Sequence, residues 1–219
     1  ADDAKVTLHT IGDSLCATYA ETNLLRGWGQ LIGSKFNPDN VTVDNSLARG
    51  GMTAEEFVSG GRFEQLLAKL QAGDYVFIQL ATNDNGKFTK TEFKRLLLQF
   101  VVGIREKDAI PVFVTAPERL TCATDETDEN GQYKTVESLR GYPEMMREIG
   151  RERNVPVIDL NADTVEFMRE HGLTGMKELD YFVSDELHFT KSGAEWLIDF
   201  IADGAKELKL PIAKFLVSE

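Results

Sequence analysis

Short runs of apolar residues alternate along the chain with stretches in which apolar residues recur every three or four positions. Runs of strand length fall at residues 6–11, 41–45, 75–80, 110–115 and 155–160. The run at 75–80 (YVFIQL) is almost wholly apolar, which is typical of a strand buried on both faces of a parallel sheet. The pattern predicts five strands, each followed by helical segments.

Apolar residues spaced three or four positions apart predict helices in the segments between these strands. Residues 28–36, 53–70 and 139–153 have helical patterns. The clearest amphipathic stripe has its apolar members three and four positions apart. It consists of Phe93, Leu96, Leu97, Phe100, Val101 and Ile104.

One helix boundary and one irregular segment complete the prediction. Asn161 is predicted to cap a helix over residues 162–171, with Gly172 just past its end. Residues 121–138 are polar and are predicted to form a loop. Their acidic centre, residues 125–129, lacks the regular carboxylate spacing of a calcium site, so a solvated loop is favoured.

These strand–helix units indicate an α/β protein whose parallel sheet is covered by helices on both faces. We predict a three-layer α/β/α sandwich with a five-stranded sheet. The 219 residues are assigned to one domain, residues 1–219, because no repeat or linker divides them. Ligands bind such sheets at the carboxyl ends of the strands, so residues that directly follow the strands are candidates for function.

The charge balance argues against two classes of partner. The chain has 24 Lys+Arg and 36 Asp+Glu, a formal net charge of −12. Nucleic acids and anionic membranes are both bound through clustered cations, so neither is expected. A helix that spans a bilayer needs about 18 apolar residues in a row, and the sequence has no such stretch. Two cysteines and three histidines do not favour a disulfide framework or a zinc site.

Polar residues follow the first three predicted strands. Ser14 lies in Gly-Asp-Ser-Leu after the first strand, Gly51 in Arg-Gly-Gly-Met-Thr after the second, and Asn83 in Ala-Thr-Asn-Asp after the third. A hydroxyl, a backbone N–H beside glycine and an amide can supply a nucleophile and an oxyanion hole. Taken singly, each segment also fits a helix cap or a turn, and for the first two that simpler interpretation is favoured.

A fourth polar segment precedes the last helix and contains a histidine suited to catalysis. His188 lies in a predicted loop, with Asp185 three residues before it. The carboxylate can hold one ring nitrogen while the other faces the cleft, as a serine hydrolase requires. Alone, this spacing fits a capping Asp and a surface His equally well. His9 falls inside the first strand and His171 at a helix end, so neither is predicted to be catalytic.

Together the four segments resemble the SGNH (GDSL) hydrolases, a family named for Ser, Gly, Asn and His in four blocks. GDSL, RGGMT, ATND and DELH occur in the family's order over nearly the whole chain. Within the family, the chain is similar to the rhamnogalacturonan acetylesterase-like carbohydrate esterases, on the segments GRF, VPVIDLNADT and DELHFTKSGAEWL. The resemblance implies the flavodoxin-like SGNH hydrolase fold.

The resemblance also implies an activity, the removal of O-acetyl groups from plant cell-wall polysaccharide, either rhamnogalacturonan (pectin) or xylan. Ser14, His188 and Asp185 would form the catalytic triad, and Ser14, Gly51 and Asn83 the oxyanion hole. Contacts with an acetylated polysaccharide or oligosaccharide are expected from Asp13, Gly50, Asn85 and Arg119. No metal or organic cofactor is expected.

Three positions depart from the family's pattern. Gly usually stands where this chain has Ala81, His often where it has Thr82, and Arg often where it has Met52. Ala81 strains its loop if its φ is positive. These departures put the substrate in doubt more than the activity, because Asn83 is retained.

Other hypotheses remain open. The same triad can act on small acyl esters, thioesters or lysophospholipids, although the polar residues at the predicted cleft edge favour a sugar. An inert binding module is the third hypothesis, against which the intact triad argues. A disulfide between Cys16 and Cys122 and a pair of reduced thiols both fit the sequence. Secretion or a periplasmic location, with a signal peptide already removed, is expected from the start at Ala1 and from the family's habits.

The charge also bears on the substrate. A pectic chain carries galacturonate, which an acidic protein repels unless local cations line the approach. Cations near the predicted strand ends are Arg49, Arg62, Lys87 and Arg119.

Overall fold

A parallel β-sheet forms the centre of the molecule, of which the computed structural model describes residues 4–218. The strands are β1 (Val6–Gly12), β2 (Val41–Asp44), β3 (Tyr75–Gln79), β4 (Ile110–Val114), β5 (Ala123–Thr127), β6 (Tyr133–Thr135) and β7 (Val157–Ile158). The central sheet has five strands in the order β2-β1-β3-β4-β7, and all of its pairs are parallel. The prediction of a five-stranded parallel sheet is confirmed.

Helices cover both faces of this sheet. They are α1 (Trp28–Leu31), α2 (Ala54–Ser59), α3 (Arg62–Lys69), α4 (Lys90–Glu106), α5 (Tyr142–Arg153), α6 (Leu160–Glu178) and α7 (Lys191–Glu207), with short 3-10 turns at Ile32–Lys35, Leu120–Cys122 and Pro211–Phe215. Buried residues of α1, α6 and α7 form one apolar core, and those of α2 to α5 form the other. The result is the three-layer α/β/α sandwich expected from the sequence.

The strand side chains alternate between the two cores. In β3, Tyr75 and Phe77 belong to the core with α7, whereas Val76 and Ile78 belong to the core with α4. Alternation with a period of two places successive side chains on opposite faces. Because both faces are buried, the strand is apolar at every position except Gln79, and this near-continuous apolar run is the signal that predicts it.

The last strand and the helix after it differ from the prediction. The strand contains only Val157 and Ile158, and the following helix already begins at Leu160. Asp159, not Asn161, is the N-cap, since its side chain accepts a hydrogen bond from the N–H of Ala162. Because Leu160 is apolar, the sequence pattern extends the predicted strand to it. In the structure Leu160 is the first residue of the helix and packs in the core.

Residues 121–138 form an antiparallel ribbon of β5 and β6 where a loop was predicted. The ribbon packs beside α6, where Gly172 has φ 71° and ψ 173° and interrupts the helical conformation. A Cβ atom at this glycine would lie 2.9 Å from the Tyr133 ring. Asp125 accepts hydrogen bonds from the N–H and the hydroxyl of Thr174, at 2.9 and 2.6 Å. Asp125, from the acidic segment, therefore caps the helical turns that resume after Gly172.

Candidate active site

The turn after β1 presents Ser14 at the carboxyl edge of the sheet. The N–H groups of Cys16 and Ala17 both donate to the carbonyl of Asp13, which closes a tight turn. Gly12 permits the turn because a Cβ atom there would lie 2.5 Å from that of Cys16. Asp13, Leu15 and Cys16 are buried, and Ser14 is left partly exposed.

The hydroxyl of Ser14 meets the imidazole of His188. The Nε2 atom of His188 lies 2.9 Å from the Oγ atom of Ser14, and its Nδ1 atom lies 2.5 Å from Oδ2 of Asp185. The triad predicted from two separate segments, Ser14 from one and Asp185 with His188 from the other, is thus connected in one line. In this geometry Nδ1–H donates to the carboxylate, which leaves Nε2 free to accept the serine proton.

The carboxylate of Asp185 is held as an anion. Partial burial acts to raise its pKa, but the N–H groups of His188 and Leu187 and the imidazole all donate to it, and together they lower the pKa below its usual range. The backbone bonds also fix the carboxylate against the ring. An ionised, fixed Asp185 stabilises the imidazolium that forms when the ring takes a proton.

Two backbone N–H groups beside Ser14 have no partner. Those of Ser14 itself and of Gly51 make no hydrogen bond within residues 4–218. The Gly51 loop lies against the nucleophile, since a Cβ atom at Gly50 would be 3.8 Å from that of Ser14. Gly51 has φ 75°, which favours glycine. Free N–H groups next to a nucleophile are suited to hold an oxyanion.

Asn83 joins this loop from the turn after β3. Its amide donates to the carbonyl of Met52 at 3.2 Å, which sets the side chain beside Gly51. The second N–H of the amide is available for a ligand. Residues from the segments that follow β1, β2 and β3 therefore lie together at this edge of the sheet.

A buried carboxylate, Asp84, connects the second and third loops. It accepts the N–H groups of Ala54, the first residue of α2, at 2.8 Å and of Ala81 at 3.1 Å. Burial raises its pKa to about 6, and the two N–H donors act in the opposite direction. The sequence reasoning did not single out Asp84, although its place beside Asn83 was visible in the run ATNDN.

Ala81 adopts the strained conformation that the sequence left open. It has φ 118°, in the region that favours glycine, and its side chain is fully buried. The substitution of Gly by Ala relative to the family's pattern thus carries a conformational cost. Thr82 and Met52, the other departures, differ in surroundings: Met52 packs in the core, and the Thr82 hydroxyl is buried with no partner within residues 4–218.

Asp13 does not fit the predicted contact with substrate. Its side chain is 0% exposed and lies beneath the nucleophile turn, where it accepts from the N–H of Leu15 at 2.9 Å and from Nε2 of Gln79 at 3.1 Å. Gln79 in turn accepts from the indole of Trp28. Burial raises the pKa of Asp13 to about 7. The residue supports the turn from below and cannot touch a ligand in the cleft.

The remaining predicted contacts lie on the surface near Ser14. Gly50 is exposed, and Asn85 and Arg119 both line a groove of about 420 Å³. Asn85 also donates to the carbonyl of Ser138 at 2.8 Å. One contact that the sequence did not suggest comes from Tyr19, whose hydroxyl donates to the Ser14 carbonyl at 2.6 Å and braces the turn.

The other histidines and the cysteines have structural surroundings. His9 is buried and bonded to Asp74 at 3.0 Å, and His171 is stacked on Phe167. Cys16 and Cys122 are free, buried thiols, so the disulfide is not formed. Burial raises the pKa of the Cys16 thiol well above its usual value, which disfavours a thiolate nucleophile beside Ser14.

Within residues 4–218, no cluster of three or more His, Cys, Asp or Glu side chains is placed to hold a metal ion. Among the same residues, none of the helices is long and apolar enough to cross a membrane.

Comparison with known proteins agrees with the family resemblance of the sequence and with the fold. Residues 10–196 match the model of the GDSL-like lipase/acylhydrolase family. The probable rhamnogalacturonan acetylesterase YesY of Bacillus subtilis (strain 168) is 33% identical over 224 residues, covering 97% of this chain and 98% of the relative. The rhamnogalacturonan acetylesterase RhgT of the same organism is 34% identical over 209 residues, covering 89% and 86%. The crystal structure of Bacillus subtilis YxiM superposes with a TM-score of 0.84 at 25% identity, covering 95% of this chain and 58% of that one.

The strain at Ala81 predicts a stabilising substitution. We expect Ala81→Gly to raise the free energy of unfolding by about 1 kcal/mol, because relief of a positive φ outweighs the added freedom of the unfolded chain. Chemical denaturation measures the change. Ala116→Gly is the matched control, since Ala116 is equally buried and is absent from the residues with positive φ. Equal loss of stability in both variants would contradict the strain.

The buried carboxyl of Asp13 predicts how stability changes with pH. It ionises near pH 7 in the folded chain against 3.8 in the unfolded one, so between these values the unfolded state binds fewer protons. Its stabilising contribution is complete below pH 3.8 and is lost as the pH rises to about 7. Asp13→Asn, neutral throughout, should therefore lose less stability than wild type between about pH 5 and about pH 8.

The test compares the change in the free energy of unfolding between the two pH values. The absolute stability of Asp13→Asn therefore does not affect the result. Asp39→Asn removes an exposed carboxylate and serves as the control. It should follow the wild type in denaturation at both pH values. An unchanged pH dependence in Asp13→Asn would show that Asp13 stays ionised when buried.

Proposed function

The chain belongs to the GDSL-like lipase/acylhydrolase family, and on that premise we propose that it is a serine esterase that removes O-acetyl groups from plant cell-wall polysaccharide, with rhamnogalacturonan as the first candidate. The observation that carries the proposal is the contact between Ser14, His188 and Asp185 beside two unpartnered N–H groups. The relatives named as rhamnogalacturonan acetylesterases support the class of substrate.

The first half of the reaction acetylates the enzyme. The Oγ atom of Ser14 attacks the acetyl carbonyl while Nε2 of His188 takes the hydroxyl proton. The negative charge on the carbonyl oxygen is held by the N–H groups of Ser14 and Gly51 and by the Asn83 amide. As the tetrahedral intermediate collapses, the imidazolium returns its proton to the departing sugar oxygen, and the sugar leaves as an alcohol.

The second half restores the enzyme. Water attacks the acetyl-serine while one of its protons passes to His188. As the intermediate breaks, the imidazolium gives that proton to the Oγ atom of Ser14, and acetic acid leaves and ionises to acetate. Asp185 remains ionised throughout, in keeping with its lowered pKa. The net reaction consumes one water and produces acetate, one proton and a sugar hydroxyl. No step draws on a metal or an organic cofactor.

The surroundings of the site support a sugar substrate. Asn85 and Arg119 line the adjoining groove, and an acyl chain would instead require an apolar channel. Plant cell-wall polysaccharide is extracellular, so the proposal includes a secreted or periplasmic location.

Removal of the nucleophile tests the reaction. We expect Ser14→Ala to release acetate at less than a few per cent of the wild-type rate on every substrate. Its circular dichroism spectrum and melting temperature should remain close to those of wild type. Acetate release is measured side by side on acetylated rhamnogalacturonan and acetylated xylan. Wild-type activity on acyl thioesters or lysophospholipids, with no acetate from either polymer, would overturn the proposed substrate. A rate above a few per cent of wild type in Ser14→Ala would overturn the assignment of Ser14 as the nucleophile.

Removal of the Asn83 amide tests the oxyanion hole. Asn83→Ala should lower kcat by about 100–1,000-fold and change KM much less, because the amide binds charge that develops only in the transition state. Asn130→Ala, at the exposed turn of the β5–β6 ribbon, is the matched control and should behave as wild type. A loss confined to KM would instead make Asn83 a ground-state contact.

A further inference from the structure

A groove beside the active site contains two arginines. Its volume is about 420 Å³, and its lining residues are Asn85, Gly86, Arg119, Glu137, Ser138 and Arg140. The lining residues themselves carry two guanidinium groups and one carboxylate, an excess of one positive charge, and the carboxylate of Glu118 lies beneath Ser138. The excess among the lining residues contrasts with the net charge of −12 of the whole chain.

The two guanidinium groups are unpaired. Neither that of Arg119, which is half-buried, nor that of Arg140, which is exposed, makes a hydrogen bond or an ion pair with any residue from 4 to 218. By comparison, Arg147 is bonded to Asp159 at 2.8 Å. Partial burial of an unpaired cation costs free energy that an anionic ligand would recover.

The groove adjoins the catalytic groups on two sides. Asn85 belongs to the turn that carries Asn83, since its N–H donates to the carbonyl of Ala81 at 2.9 Å. On the other side, the N–H of Leu120 donates at 2.8 Å to the carbonyl of Glu186, two residues before His188. A polymer with one acetylated sugar at Ser14 would therefore have another of its sugars close to Arg119.

The segment that carries Arg140 is held in place from below. The N–H and the hydroxyl of Ser138 both donate to the buried carboxylate of Glu118, at 3.0 and 2.6 Å. On the far side of Arg140, the Tyr142 hydroxyl donates to the carbonyl of Phe88. Between these anchors the backbone of Arg140 lies in the left-handed region, with φ 48°.

We propose that this groove is a subsite for the carboxylate of a uronic acid residue in the polymer bound at Ser14, with Arg119 and Arg140 as its specificity-determining residues. The proposal rests on the polysaccharide esterase activity proposed for this site. It adds the contacts by which the enzyme would distinguish an acidic polymer from a neutral one. Guanidinium groups bind carboxylates through paired, charge-assisted hydrogen bonds. Local attraction thus overcomes the repulsion between an anionic polymer and an acidic protein.

The test compares two acetylated oligosaccharides, one of rhamnogalacturonan and one of xylan without uronic acid. We expect Arg119→Gln and Arg140→Gln each to lower the ratio of kcat/KM on the acidic to that on the neutral oligosaccharide by about tenfold, mainly through KM on the acidic one. In wild type this ratio should fall as salt is added, because salt screens the attraction.

Two further variants separate the groove from the overall charge. Glu137→Gln removes the one carboxylate of the groove and should raise the ratio. Arg95→Gln removes an exposed cation on α4, outside the groove, and should leave the ratio unchanged. An unchanged ratio in both groove arginine variants would overturn the proposal. So would an equal fall of the ratio in Arg95→Gln.

A binding experiment keeps the subsite testable if wild type releases acetate from neither polymer. Deacetylated rhamnogalacturonan oligosaccharide is titrated into wild type, Arg119→Gln and Arg95→Gln by calorimetry. Weaker binding in Arg119→Gln alone would support the subsite even where the esterase proposal had failed. Absence of binding to wild type, or equal binding to all three proteins, would overturn the subsite.

Discussion

The carboxylate of Asp84 is the contact on which the catalytic edge depends. It is buried, and it accepts one N–H from the start of α2 and another from the turn after β3. Because a buried acceptor must be satisfied, the two segments cannot separate without leaving it unpaired. Asn83 is thereby held against the carbonyl of Met52, next to Gly51. One internal interaction thus fixes two of the three groups assigned to the oxyanion.

The sequence predicted what depends on local pattern and missed what depends on distant partners. The buried strand β3 is apolar at every position but Gln79, and Ser14 and His188 lie where loops follow strands and precede helices. The length of β7 could not be predicted, because Asp159 is fixed as a helix cap through Thr115 and Arg147, far along the chain. The role of Asp13 was missed for a similar reason. Its burial is set by Gln79, 66 residues away.

Charge in this molecule has to be considered at two scales. The total of −12 describes how the protein interacts at long range, where salt screens it. At the carboxyl edge the balance is local: Asp185 is ionised within a web of N–H donors, whereas Asp13 and Asp84 are buried among neutral groups. Composition alone therefore says little about the field that a substrate meets at Ser14.

The two reacting side chains, Ser14 and His188, are 174 residues apart in the sequence. During synthesis the nucleophile leaves the ribosome 174 residues before its base. The pair can form only after the intervening strands have assembled, which is a contact of very high order. An incomplete or misfolded chain is therefore chemically silent. Esterolysis in a refolding experiment consequently reports the arrival of the complete native state rather than of any partly ordered intermediate.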